Sequence, residues 1–316
     1  MIVNFDTINN KEVKETNICL HNDIVVSNVR PKSTKIVLLT DSLIKNLNDV
    51  CFTMPTLRAT KINPIILYAI LKPYLNTFEN TICTGSQYPV VKTDKLKRFK
   101  IPVPKSPEKI QYWVDKISAP FNEKNEKQTL LKNLEQEVLD KVKFISDMSV
   151  KVPFNKFCEF GGGKMLSRSK FIQGEYPVIG GGIKPSGHHN EFNKPKNTIL
   201  CSSSGNNAGY ISRYNIEVWA SDCFSIHSKV LNEDFIYYYL KGIQSEIFKL
   251  QNGSAQPHVH SKDIKMKIKI PNPDKNLITE LEPKFALIEQ LKLDIQNAEA
   301  RFCLLYTSPS PRDKRQ

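Results

Sequence analysis

The residues best placed to do chemistry sit in polar, glycine-bearing loops, and what they offer is hydrogen bonding rather than bond breaking. Ser202-Ser203-Ser204-Gly205-Asn206-Asn207 presents hydroxyls and amides that both donate and accept. Asn and Gln, including Gln256, can pair bidentately with adenine in a DNA major groove. Glycine lets a backbone approach a phosphate without a side-chain clash. Lys164, Arg168, Lys170, Lys184 and Arg213 lie in or near these loops and can neutralise phosphates. His188 and His189, followed by Asn190, and His258 and His260 can donate to a phosphate or a base. Each of these residues also has a second reading, because Ser, Asn and Gly are what ordinary turns are made of. Trp219, in a strand-like apolar run, and Tyr237-Tyr238-Tyr239, on a helical segment, read as core rather than as stacking platforms for bases.

The motifs an enzyme would need do not assemble. Gly161-Gly162-Gly163-Lys164-Met165 has the look of a phosphate-binding loop, but Cys158 stands where its first glycine belongs. Met165 stands where a Ser or Thr must reach magnesium. Ser203 and Ser204 lack the Gly-x-Ser-x-Gly elbow of a serine nucleophile. Asn63-Pro64-Ile65 is not the Asn/Asp-Pro-Pro-aromatic motif of an adenine methyltransferase. The chain is therefore expected to be non-catalytic, with no metal site and no cofactor of its own.

Bulk properties fit a basic globular protein. Lys and Arg number 45 against 32 Asp and Glu, a formal charge of +13. That surplus is what a nucleic-acid partner requires, and it is equally the mark of a merely basic surface. The 7 cysteines are widely spaced with no C-x-x-C pair, which reads as reduced thiols in a cytoplasmic protein. No apolar run approaches the roughly 20 residues of a membrane span, and the N-terminus lacks a signal-peptide pattern.

The elements that must position these loops repeat. Tyr68-Ala69-Ile70-Leu71-Lys72 is answered by Tyr237-Tyr238-Tyr239-Leu240-Lys241, and Gly85-Ser86-Gln87-Tyr88-Pro89 by Gly253-Ser254-Ala255-Gln256-Pro257, 168 residues on. Ile101-Pro102-Val103-Pro104 is answered by Ile270-Pro271-Asn272-Pro273. Upstream, Asp23–Ser27 and Thr198–Ser202 read as matching buried strands. The post-strand loop of the first copy then holds Ser27, Asn28, Arg30 and Lys32, and its later loop Gln87 and Tyr88. Each copy is followed by a helical pattern. Ile110, Trp113, Val114 and Ile117 fall at i, i+3, i+4, i+7, and Leu131, Leu134, Val138, Val142 and Ile145 continue at heptad-like spacing. Leu281, Ile288, Ile295 and Phe302 recur every seven residues, with Leu291 and Ala298 completing an a/d seam. So few heptads are unstable alone, and each helix is the obvious partner for the other. After Phe302 a Pro/Ser-rich basic stretch follows, and 303–316 read as an adapter-derived tail outside the fold. The first copy has fewer residues before its strand than the second and reads as incomplete at its N-terminus.

The order of motifs in the second copy carries a resemblance. It runs Tyr176-Pro177-Val178-Ile179-Gly180-Gly181-Gly182, Gly187-His188-His189-Asn190, Asn197–Gly205, Asn207-Ala208-Gly209-Tyr210-Ile211, Trp219–Phe224 and Gly253–Val259. This resembles the target-recognition domain of type I restriction–modification specificity subunits, strongly over 150–302 and less so over 10–105. The resemblance implies an α+β fold with two similar target-recognition domains separated by long helices forming an antiparallel coiled coil. The expected division is 1–105 and 150–274 for the recognition domains, 106–149 for the central spacer, and 275–302 for the closing helix. It implies a specificity subunit that binds double-stranded DNA at a bipartite site. Methyltransferase subunits would bind the helices and carry S-adenosylmethionine, and an ATP- and magnesium-dependent restriction subunit would join them. The alternative is the recognition portion of a single-chain restriction–methyltransferase enzyme. The DNA-contacting set expected is Lys184, His188, His189, Asn190, Ser202, Ser203, Ser204, Asn206, Asn207, Arg213, Gln256 and His258, with Ser27, Asn28, Arg30, Gln87 and Tyr88 in the first copy.

Overall fold

The computed structural model describes residues 6–8, 20–26, 36–39, 56–81, 83–84, 90–91, 93–101, 106–253 and 256–307. The fold is α+β, and the chain separates into two compact units. One comprises 1–127 with 294–316, the other 128–293.

In the first unit four short strands form an antiparallel sheet. They are β1 (Asp6–Ile8), β2 (Ile24–Val26), β3 (Ile36–Leu38) and β4 (Thr56–Arg58), in the order β1-β4-β2-β3. The side-chain period of two shows in β3, where Ile36 and Leu38 are buried and Val37 is exposed. Ile24, Val26 and Leu57 complete the sheet's apolar face, which packs against Ile66, Leu67 and Leu71 of helix α1 (Pro64–Thr81). Asp23 is buried beside this sheet. Its carboxylate accepts two hydrogen bonds from Arg58, at 2.8 and 2.7 Å, and one from the Leu20 amide. A buried charge is tolerated when paired in this way.

After α1 come the strand pair β5 (Cys83–Thr84) and β6 (Val90–Val91), the short helix α2 (Thr93–Lys97) and the long helix α3 (Pro107–Met148). α3 is continuous through Pro120, where the missing N–H removes one bond of the ladder without ending the helix. Trp113, placed in the apolar stripe by its spacing, is 37% exposed and lies edge-on to Tyr112.

The second unit holds the larger core. β7 (Val150–Pro153), α4 (Phe154–Phe157) and β8 (Cys158–Gly162) lead into β9 (Tyr176–Ile179), β10 (Gly187–His189), β11 (Ile199–Ser202), β12 (Ile211–Ser212), β13 (Trp219–Ala220) and β14 (Cys223–Ser228). Three sheets result, ordered β12-β11-β14-β8, β10-β9-β13 and, with β15 (Lys269–Asn272), β15-β7. β11 reads as a continuous apolar run because both its faces are covered. Ile199 and Cys201 join the main core with Phe154, Phe235 and Ile247. Leu200 points the other way, to Ile179, Val218 and Ala220.

Helix α5 (Glu233–Gly242) starts where the Asn232 side chain caps the amides of Asp234 and Phe235. It buries Phe235, Ile236, Tyr239 and Leu240 along one stripe. α6 (Gln244–Phe248), α7 (Ser261–Lys267), α8 (Lys275–Thr279) and α9 (Glu282–Thr307) follow. The thiols of Cys158, Cys201 and Cys223 are buried, which pushes all three up from the ordinary cysteine range, Cys158 and Cys223 to about 12.

The internal repeat is visible in the backbone. Thr84 pairs antiparallel with Val90, and 168 residues on the isolated bridge Asn252–His258 has the same register. Helix α2 begins at Thr93 and its counterpart α7 at Ser261, at the same offset.

The border between the units falls within both long helices. In the first unit, Lys124 pairs with Glu299 at 2.9 Å and Lys127 with Asp294 at 2.7 Å, while Phe121 and Phe302 meet at 5.7 Å between centroids. In the second, Lys292 reaches Glu135 at 3.6 Å and Lys284 pairs with Glu137. Leu134, Val138, Val142 and Ile145 share a core with Leu281, Phe285, Ile288 and Leu291. Helix α9 continues to Thr307, so 303–307, read from the sequence as the start of a tail, are helical.

Candidate nucleic-acid interface

The connections leaving β9, β11 and β13 meet beyond the ends of those strands. Inside the meeting point, Ser202 Oγ donates to the Gly180 carbonyl at 3.0 Å, and the Ser203 amide donates to the Asp222 carbonyl at 3.1 Å. The Ser204 hydroxyl donates to the Asp222 carboxylate, and Gln256 Nε2 reaches the same hydroxyl at 3.4 Å. A fourth segment joins through the Ser204–His258 bridge and the Gly205 amide, which donates to the Pro257 carbonyl at 2.9 Å. A fifth is tied on by the Lys164 amide, donating to the Ala220 carbonyl at 2.8 Å, and the Leu166 amide, donating to Ser221 Oγ at 2.9 Å.

Such close packing of backbone explains two of the glycines. A Cβ on Gly181 would lie 2.3 Å from the Ser204 carbonyl oxygen, and one on Gly163 would lie 2.3 Å from the Cys223 carbonyl oxygen. No side chain fits at either position.

The loops hold one another, so their outward groups are presented on a rigid base. Asn206 and Gln256 are exposed, and Ser203, Asn207 and His258 are half-buried. The flanking stretch 164–196 contains six cations, Lys164, Arg168, Lys170, Lys184, Lys194 and Lys196, against two acids, Glu175 and Glu191. All but Lys194 of the six are exposed. His188 and Asn190 are exposed on the same stretch.

Four residues expected to touch DNA are committed to the fold instead. His189 is 5% exposed, accepts from the Ile172 amide on Nδ1 at 3.1 Å, and lies edge-on to Trp219 at 5.0 Å. Ser202 is buried and spent on Gly180. Ser204 is buried against Asp222. The Arg213 side chain is 4% exposed; it pairs with Asp234 at 2.6 Å and Glu289 at 3.3 Å, and covers the Tyr237 ring at 4.4 Å. Ser27, Asn28, Arg30, Lys32, Gln87 and Tyr88 lie outside the described residues. Asp222 was missed by sequence reasoning; its only sequence signal is its place between two strand-like runs, in Ala220-Ser221-Asp222-Cys223.

Hydrogen-bonding loops on rigid strand ends, bordered by unpaired positive charge, make a recognition surface for a polyanion. Residues 149–279 match the family model described as the type I restriction modification DNA specificity domain, and this stretch of the chain is a domain of that kind. Over 112 residues the chain is 33% identical to a putative type I specificity subunit of Mycoplasma pneumoniae. That match spans 34% of this chain and 30% of the relative. The crystal structure of a type I restriction–modification S subunit from M. genitalium superposes with a TM-score of 0.55 at 18% identity, covering 96% of this chain and 92% of that one. That likeness establishes the fold. No helix among the described residues is long and apolar enough to cross a membrane.

Proposed function

We propose that the chain is the specificity subunit of a type I restriction–modification system. It binds double-stranded DNA at a bipartite site and directs an adenine-N6 methyltransferase and a restriction subunit there. The observation that carries this reading is the loop cluster itself. A DNA specificity domain ends in interlocked polar loops beside a stretch with six cations and two acids.

Lys164, Arg168, Lys170, Lys184, His188 and Asn190 hold the phosphates, which fix register. Ser203, Asn206, Asn207, Gln256 and His258 read base edges. Ser204 and Asp222 position Gln256 rather than touch DNA. The 168-residue repeat supports a second recognition domain over 1–105. The ion pairs between α3 and α9 join rising numbers on one helix to falling numbers on the other. They support an antiparallel coiled coil as the spacer, with 106–149 and 275–302 as the surface for the methyltransferase subunits.

Selection by the full chain from a pool of random duplexes tests the reading. One enriched motif, bound with an affinity that falls steeply with salt, is expected. A pool that returns unchanged would overturn it.

A further inference from the structure

A second concave site lies in the 128–293 unit and shares no residue with the loop cluster. It is a cavity of about 550 Å³ between the C-terminal end of α3, the α5–α6 pair and the α7–β15 connection. That volume is within the range of small-molecule sites, roughly 300–1,000 Å³. Its apolar lining is Leu139, Val142, Ile243 and Ile268 with Tyr238 and Tyr239. Four lysines, Lys143, Lys151, Lys267 and Lys269, also line it, against Asp147 and Glu246.

Two features of this lining have no use in the fold. Tyr238 is 3% exposed, and its phenol oxygen is buried with no hydrogen-bond partner among the described residues. Buried hydroxyls almost always have a partner. The adjacent Tyr239 does, donating to the Lys269 carbonyl at 2.7 Å. Lys151 places its ammonium group over the Tyr239 ring at 5.0 Å and against the Ser146 hydroxyl. Burial lowers its pKa from the usual lysine range, against the opposing pull of Asp147 and Glu246. The cavity therefore gathers surplus positive charge and one uncommitted donor around an aromatic wall.

We infer that this cavity binds a small organic anion of about mononucleotide size. The phosphate or carboxylate of the ligand sits among the lysines, its body lies against the tyrosines, and it accepts a hydrogen bond from Tyr238. This site goes beyond DNA recognition and does not depend on it.

Calorimetric titration of the full chain with AMP and, separately, with benzoate tests the inference and tells a phosphate from a carboxylate ligand. At least one is expected to bind saturably at a single site, and adenosine at least tenfold more weakly than AMP if AMP is the binder. Tyr238→Phe is expected to weaken binding about fivefold without lowering Tm, since it removes only an unpartnered hydroxyl. Lys151→Met with Lys269→Met is expected to weaken it more than tenfold while duplex DNA affinity stays unchanged. Failure of both probes to saturate, or binding indifferent to these substitutions, overturns the inference.

Discussion

Replacing Lys164, Arg168, Lys170 and Lys184 together by glutamine is expected to weaken duplex DNA binding by about 10³-fold at physiological salt. Each side chain is exposed, so none is needed to complete the core. Each neutralised phosphate contact releases condensed counterions, and its loss lowers the slope of log K against log salt by about 0.9. Four such losses lower the slope by about 3 to 4. At only about 1 kcal/mol per contact, four contacts amount to the stated factor. Fluorescence anisotropy across a salt series checks both figures, and a thermal melt confirms that folding is intact. A variant with an unchanged slope places the DNA elsewhere on the molecule.

Arg213→Met is expected to lower unfolding stability by about 2 to 3 kcal/mol, and to leave the DNA affinity of the folded protein within about twofold. The guanidinium is nearly inaccessible and joins Asp234 of α5 to Glu289 of α9, with Tyr237 beneath it. Removing one partner of a buried pair is costly because the remaining charges lose their compensation. Both carboxylates are about 30% exposed and can regain water, which puts the effect below the upper range for fully buried pairs. Arg213→Lys is expected to recover only part of the loss, since an ammonium lacks the fork that reaches two carboxylates. Urea titration measures the stability. A stable variant that no longer binds DNA would restore Arg213 to the interface.

Much of the fold is legible where one residue's neighbours in sequence decide its fate. Ile199-Leu200-Cys201 announces a doubly covered strand, and the heptads of 281–302 announce a helix that needs a partner. The repeat was legible down to the register of a single bridge. What stayed hidden depends on contacts between distant positions. His188 and His189 are equivalent as letters, and only the pairing of β10 with β9 turns the second inward, against Trp219. Ser202 looks like its neighbours Ser203 and Ser204 until Gly180 comes within hydrogen-bonding distance. Arg213 reads as a loop cation because its partners lie 21 and 76 residues away. Trp113 fits the apolar spacing of its helix and is nonetheless more than a third exposed, since periodicity marks the centre of a stripe better than its edge.

The central claim, that this chain supplies the address for a methyltransferase, is tested most directly by mapping N6-methyladenine across a host genome. The host would express the gene for this chain together with an adenine-N6 methyltransferase subunit of the same system. The account predicts methylation at one bipartite motif that disappears when this gene is deleted and the methyltransferase is kept. An identical methylation map with and without the gene, in cells where both proteins accumulate, would contradict it.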